Sequence, residues 1–134
     1  MAASWLLDSN ILIAAIKGEP RALLNRLARI APNRLYLSSI VLAELGTGAE
    51  KSRDRTRRRA DIEDLTRGMC EVPFEAVDAI AYARIRAALE GAGTSIGPMD
   101  LLIAAQAVAR DLVLVTDNLR EFRRVPGLRC ENWL

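Results

Sequence analysis

The chain has no histidine. Serine or cysteine nucleophiles activated by histidine, histidine-ligated zinc, and phosphodiester cleavage by a histidine acid–base pair are therefore all excluded. Any catalysis has to rest on carboxylates, hydroxyls, arginine, or a metal ion held by oxygen atoms. Cysteine is nearly as scarce. Cys70 and Cys130 form no CxxC pair and read as reduced core thiols of a cytosolic protein. Lysine is confined to Lys17 and Lys51, so 17 of the 19 basic side chains are arginine. No apolar run approaches the roughly 18 residues that span a bilayer. Asp8 interrupts the first run, which also lacks the basic start of a secretory signal. A soluble, cytoplasmic protein with no membrane partner is expected.

With 134 residues, 51% apolar and 27% charged, the chain suits one cored domain spanning residues 1–134 and is too short for two. Short apolar runs alternate with helical stretches. Strands are expected at Trp5–Leu7, Leu35–Leu37, Met69–Val72 and Leu112–Val115, with a last one near Leu128–Cys130. Ile11–Ile16 reads as a helix closed by Gly18. Pro20 opens a second, with Leu23, Leu24, Leu27 and Ile30 at helical spacing, and Ser38 or Ser39 caps a third. Glu75–Ala92 reads as a long amphipathic helix carrying Val77, Ala81, Ile85, Ala88 and Ala92 on its stripe, and Met99–Arg110 as a helix buried on most sides. This alternation predicts a three-layer α/β/α domain around a short-stranded, mainly parallel sheet.

Four acids interrupt apolar segments. Asp8 separates Leu7 from Ile11-Leu12-Ile13, Glu44 lies within Ile40–Leu45, Asp100 within Pro98–Ile103, and Asp117 ends the Leu112–Val115 run. A carboxylate in apolar surroundings is costly unless it is paired, hydrogen-bonded or metal-bound. Singly, each has an ordinary reading. Asp8 and Asp117 suit strand-end turns, Asp100 suits a helix dipole, and Glu44 suits a solvent-facing or arginine-paired position. Jointly they point elsewhere, because ligands of an open parallel sheet bind beyond the carboxyl ends of its strands. Asp8 and Asp117 fall at such ends, and Glu44 and Asp100 fall in the first turns of helices starting above the same edge. Acids gathered there repel one another without a cation. An oxygen-rich set without histidine or cysteine suits Mg²⁺, or Mn²⁺, rather than zinc. Setting the four aside turns a net charge of +2 into +6, a balance suited to a nucleic-acid backbone. Basic charge is densest from Lys51 to Arg59, six residues in nine. Lys51, Arg53, Arg57, Arg58 and Arg59 are candidates for RNA or partner contact, against the ordinary reading of a solvated loop or polar helix running to about Arg67.

These segments carry a family resemblance. Leu6-Leu7-Asp8-Ser9-Asn10-Ile11-Leu12-Ile13 resembles the opening signature of PIN domains, with Ser9 where the family usually has threonine. Ser38-Ser39-Ile40-Val41-Leu42-Ala43-Glu44-Leu45 is similar to the second motif, and Gly97-Pro98-Met99-Asp100-Leu101-Leu102-Ile103-Ala104 to the third. Val115-Thr116-Asp117-Asn118-Leu119-Arg120-Glu121-Phe122, with the residues on to Trp133, resembles the C-terminal motif. In that motif the family's spacing places the fourth polar ligand at Asn118, whereas charge favours Asp117. In order and extent the chain most resembles the VapC toxins of bacterial toxin–antitoxin pairs.

The resemblance implies a PIN-like fold and an Mg²⁺-dependent endoribonuclease. Asp8, Glu44, Asp100 and Asp117 would be its catalytic and metal-holding residues, with Ser9, Asn10, Thr116 and Asn118 in support. It also implies hydrolysis by metal-activated water, leaving a 3′-hydroxyl and a 5′-phosphate, as well as a homodimer and a VapB-type antitoxin. Operator DNA would be met only through the antitoxin. The competing class is a PIN-like module that binds RNA or protein without cutting, and the joint presence of Asp8, Glu44 and Asp100 argues against it. A phospho-acceptor receiver domain would need a lysine after the last main strand, where there is none.

Overall fold

A computed structural model describes residues 3–134. The apolar run Trp5–Leu7 forms β1 at the centre of a parallel sheet. On one side lie β2 (Leu35–Ser38) and then β3 (Cys70–Val72). On the other lie β4 (Val113–Val115) and then β5 (Cys130–Glu131), giving the order β3-β2-β1-β4-β5. Every pairing is parallel, and a parallel sheet needs cover on both faces. The helices that flank it are α1 (Ser9–Lys17), α2 (Arg21–Ala28), α3 (Ser39–Lys51), α4 (Arg55–Thr66), α5 (Ala76–Ala92), α6 (Pro98–Ala109) and α7 (Leu119–Phe122).

Local chemistry sets several boundaries. The side chain of Ser38 accepts from Ile40 N–H at 3.0 Å and starts α3. Gly18 closes α1 at φ 78°, a left-handed conformation that glycine adopts without a side-chain clash. Pro98 occupies the first turn of α6, where its missing N–H costs nothing. Leu6, Leu7, Ile11, Leu12, Ile103, Leu114, Val115 and Phe122 are fully buried in one core. α6 is buried on most sides, with Ile103, Ala104, Ala105, Gln106 and Ala107 all inaccessible.

Gln106 is the polar member of that set. Its amide donates to Val72 O at 3.1 Å and its carbonyl oxygen accepts from the Ser38 hydroxyl, so it ties α6 to β3 and to the cap of α3.

Three expectations are corrected. On α5, Val77 and Ile80 are 49% and 57% exposed, while Asp78, Ile85 and Leu89 form the buried face. The stripe is rotated because fully buried Asp78 meets Arg110 through hydrogen bonds of 3.1 and 2.9 Å. A paired charge thus takes a core position that hydropathy assigns elsewhere. The Lys51–Arg59 run is only in part the polar helix expected to reach about Arg67: Lys51 closes α3, the chain turns, and α4 runs from Arg55 to Thr66. Cys70 and Cys130 are free, but half-buried rather than in the core.

Candidate active site

The central strands β1 and β4 end side by side, and a polar residue follows each. Asp8 N–H extends the ladder by donating to Val115 O at 2.9 Å. The Asp8 side chain, 5% exposed, caps α1. Its Oδ1 accepts from Ser9 N–H at 2.8 Å and its Oδ2 from the Thr116 hydroxyl at 2.8 Å. Thr116 is fully buried, and its oxygen accepts from Asn118 N–H at 3.0 Å, which leaves the hydroxyl proton for Asp8. Burial pushes the Asp8 carboxyl above its ordinary value. The bonds from Thr116 and Ser9 oppose that rise, and the charges of Asp117 and Glu121 add to it.

Glu44 lies in the second turn of α3, one turn further in than its expected place. Its Oε1 is buried and lacks a hydrogen-bond partner among the described residues. Burial, and then the charge of Asp8, push its carboxyl up. Asp100 stands in the first turn of α6. It is pushed up to about 6 by burial first, then by Glu121, Asp8 and Glu44. Asp8, Glu44 and Asp100 therefore feel one another's charge although they come from distant parts of the chain. All three lie near the carboxyl ends of the central strands, within range of one another's charge.

The sequence pattern alone does not reveal Glu121. This residue of α7 accepts at Oε1 from Gly97 N–H and at Oε2 from the Asn118 amide, both at 2.7 Å, and its Oε1 lies with Asp100 Oδ2 beside Gly97. The Gly97 bond foremost holds its carboxyl below the ordinary value. Burial acts the other way, and Asn118, Asp100 and Arg124 reinforce the lowering. Of the two, Asp100 keeps its proton to the higher pH, up to about 6. In sequence Glu121 sits in the polar stretch Leu119–Arg124 and looks like any surface glutamate. Its one signal is a place three residues after Asn118, where a short helix returns it to the strand end. Asp117 is exposed at the rim, its Oδ1 accepting from the Asn10 amide at 3.1 Å.

The basic run lies apart from the carboxylates, around the α3–α4 turn. Lys51, Arg53, Arg57, Arg58 and Arg59 are all exposed. Glu50 pairs with Arg59 and, at 3.6 Å, with Arg55, while Asp61 pairs with Arg58 at 3.6 Å. Asp54 caps α4 through Arg57 N–H at 3.1 Å.

The donor chemistry fits a hard divalent cation. The available groups are carboxylate oxygens, one of them buried without a partner, and the raised proton affinities are what crowded acids show when nothing neutralises them. Among the described residues no three acidic or cysteine side chains stand close enough together to hold a metal ion as they are placed. The carboxylates share a field rather than a preformed cage.

Residues 5–128 match the PIN domain family. The chain is 41% identical over 129 residues to the tRNA(fMet)-specific endonuclease VapC of Salmonella typhimurium, covering 96% of this chain and 97% of that protein. Its structure is similar to that of DNA-bound VapBC from Salmonella typhimurium, with a TM-score of 0.92, 40% identity, and coverage of 99% and 100% of the two chains. It is also similar to VapBC2 from Rickettsia felis bound to a DNA fragment from their promoter, with a TM-score of 0.91, 37% identity, and coverage of 97% and 98%.

Proposed function

Since the chain belongs to the PIN domain family, among the VapC ribonucleases, we propose that it is an Mg²⁺-dependent endoribonuclease, the toxin of a toxin–antitoxin pair. The observation that carries this reading is the mutual charge effect of Asp8, Glu44 and Asp100 near the ends of β1 and β4, with Glu44 Oε1 buried and unpartnered. These three hold the cation, and Glu121 stands as the fourth carboxylate in place of the more exposed Asp117. Mn²⁺ suits the same oxygen set. When bound, such an ion neutralises charge building on the phosphate and lowers the pKa of a water.

The chain's own residues do the rest. Thr116 and Ser9 fix the two oxygens of Asp8, so the remaining lone pairs point in a set direction. Asn118 and Gly97 hold Glu121 ionised and oriented. Asn10 holds Asp117 at the rim, where its charge bears on an approaching phosphate. Below about pH 6, where Asp100 keeps its proton, a cation would have to displace it, so ion binding there would be coupled to deprotonation of Asp100.

A VapB-type antitoxin is the proposed partner. An arginine from it, entering the carboxylates, would make bidentate pairs and compete with the cation. Operator DNA is then contacted through the antitoxin.

The test is RNA cleavage by purified protein, starting with initiator tRNA because of the relative named for it. Cleavage is expected with Mg²⁺, none with EDTA, and none from Asp100→Asn at unchanged melting temperature. Full activity of Asp100→Asn overturns the proposal. Tight binding of RNA with no cleavage at any metal concentration supports the non-cutting module instead.

A further inference from the structure

Two cavities run in series away from the carboxylates. The first, about 260 Å³, lies between α1, α3 and α4; Glu44, Lys17 and Arg58 are its charged lining, and Ile13, Ile16, Leu45 and Ile62 make most of the rest apolar. The second, about 540 Å³, lies at the α3–α4 turn and is lined by Arg53, Arg57 and Arg58 together with Asp54, Asp61 and Ser52. Ile16 and Arg58 belong to both, so the two form one trough from Glu44 to the basic turn.

The ion pairs sort the basic run in a way the sequence does not. Glu50 occupies Arg55 and Arg59, and Asp61 engages Arg58. Asp54 commits a side-chain oxygen to the backbone of Arg57. Among the described residues, Arg53 and Arg57 make no ion pair, and both line the far cavity. Asp61 is matched by Arg58, and Asp54 is the one other carboxylate on the cavity, so the lining keeps a net positive charge that an anion would offset. A guanidinium fork matches a phosphate bidentately. Glu44 and Lys51 are separated by about 10 Å along α3, at the rise of an α-helix. The basic turn therefore lies within reach of the same nucleic-acid strand, a few nucleotides from the scissile bond.

We infer that Arg53 and Arg57 form a second, non-catalytic phosphate subsite that grips the backbone of a single RNA strand lying in this trough. This rests on the ribonuclease reading for its substrate, although the arginines are read by binding as well as by cleavage. They touch no reacting atom. Their effect is to favour strands long enough to reach from the carboxylates to the turn.

The test compares wild type, Arg53→Gln/Arg57→Gln, and Arg84→Gln, an exposed arginine on α5 outside the trough. Two RNAs are used, a long single strand that wild type cleaves and the shortest fragment of it that is still cut. The double variant is expected to lose about tenfold in kcat/KM on the long strand and essentially nothing on the short one. Without divalent ions, the slope of log affinity for the long strand against log salt should fall by about 0.7 for each phosphate no longer neutralised. Arg84→Gln should match wild type in both.

Equal losses on both lengths, or an unchanged salt slope, overturn the subsite. Weaker antitoxin binding by the double variant, with RNA cleavage and RNA binding unchanged, also overturns it and assigns the turn to a protein partner. If no RNA is cut but the salt slope still falls in the double variant, the nuclease reading fails and the phosphate subsite stands.

Discussion

The carboxyls of Asp100 on α6 and Glu121 on α7 both lie beside Gly97, and their proton affinities are pushed in opposite directions, that of Asp100 up and that of Glu121 down. The asymmetry has local causes. Glu121 receives Gly97 N–H and the Asn118 amide, whereas Asp100 has burial and three neighbouring acids against its ionisation.

A pH dependence follows from this pair. Asp100 titrates at about 6 when folded, against 3.8 as an ordinary aspartate. Between those values the folded state holds a proton that the unfolded state has released. The stability of the cation-free protein therefore falls as pH rises across that window. A divalent cation competes with the same proton, so its affinity should rise with pH through about 6 and then level off. Thermal melts at pH 5, 6 and 7.5, with and without Mg²⁺, check both trends, the stabilisation by Mg²⁺ being largest at pH 7.5.

Replacing Glu121 by Gln removes the second largest cause of the Asp100 shift. Asp100 should then ionise at lower pH, and the onset of cation binding should move down with it. RNA cleavage should fall because one carboxylate is lost. A pH series of Mn²⁺ binding by the Glu121→Gln protein reads the displacement directly.

Thr116→Val keeps the shape but takes the hydroxyl from buried Asp8. One carboxylate oxygen loses its donor, and Asn118 N–H loses its acceptor. The expected cost is about 1–3 kcal/mol, the range for stranding a buried polar group, together with a sharp loss of cleavage. Thr116→Ser restores the donor and should recover most of both, by urea melts and RNA assay.

Asp78→Ala separates stability from activity. It leaves Arg110, half-buried at the end of α6, with only Glu75 as an acidic partner and strips the reciprocal cap at Glu75. A loss of about 2–4 kcal/mol is expected from breaking a largely buried pair and a helix cap. Cleavage per folded molecule should not change. Urea denaturation and a cleavage assay at low temperature measure the two separately.

The central strands and the residues that follow them were legible because both signals are local. Leu6-Leu7 followed by Asp8, and Val113–Val115 followed by Thr116, mark strand ends with or without a tertiary context. Asp100 was legible as an acid amid Met99, Leu101 and Leu102. Glu121 was not, since its neighbours are polar and only the turn of α7 aims it at Asp100. The α5 face was misplaced for a similar reason. Asp78 enters the core on the strength of Arg110, an interaction between α5 and the end of α6 that no local pattern encodes. The division of the basic run into paired and unpaired arginines likewise depends on which acids fold against it.

Divalent-ion binding by the isolated protein tests the carboxylate cluster most directly, since it needs neither RNA nor antitoxin. Mn²⁺ titration at pH 7.5 should give saturable binding in the wild type and none of comparable affinity in Asp8→Asn or Asp100→Asn. Indistinguishable binding by all three proteins would mean that these side chains do not hold the ion.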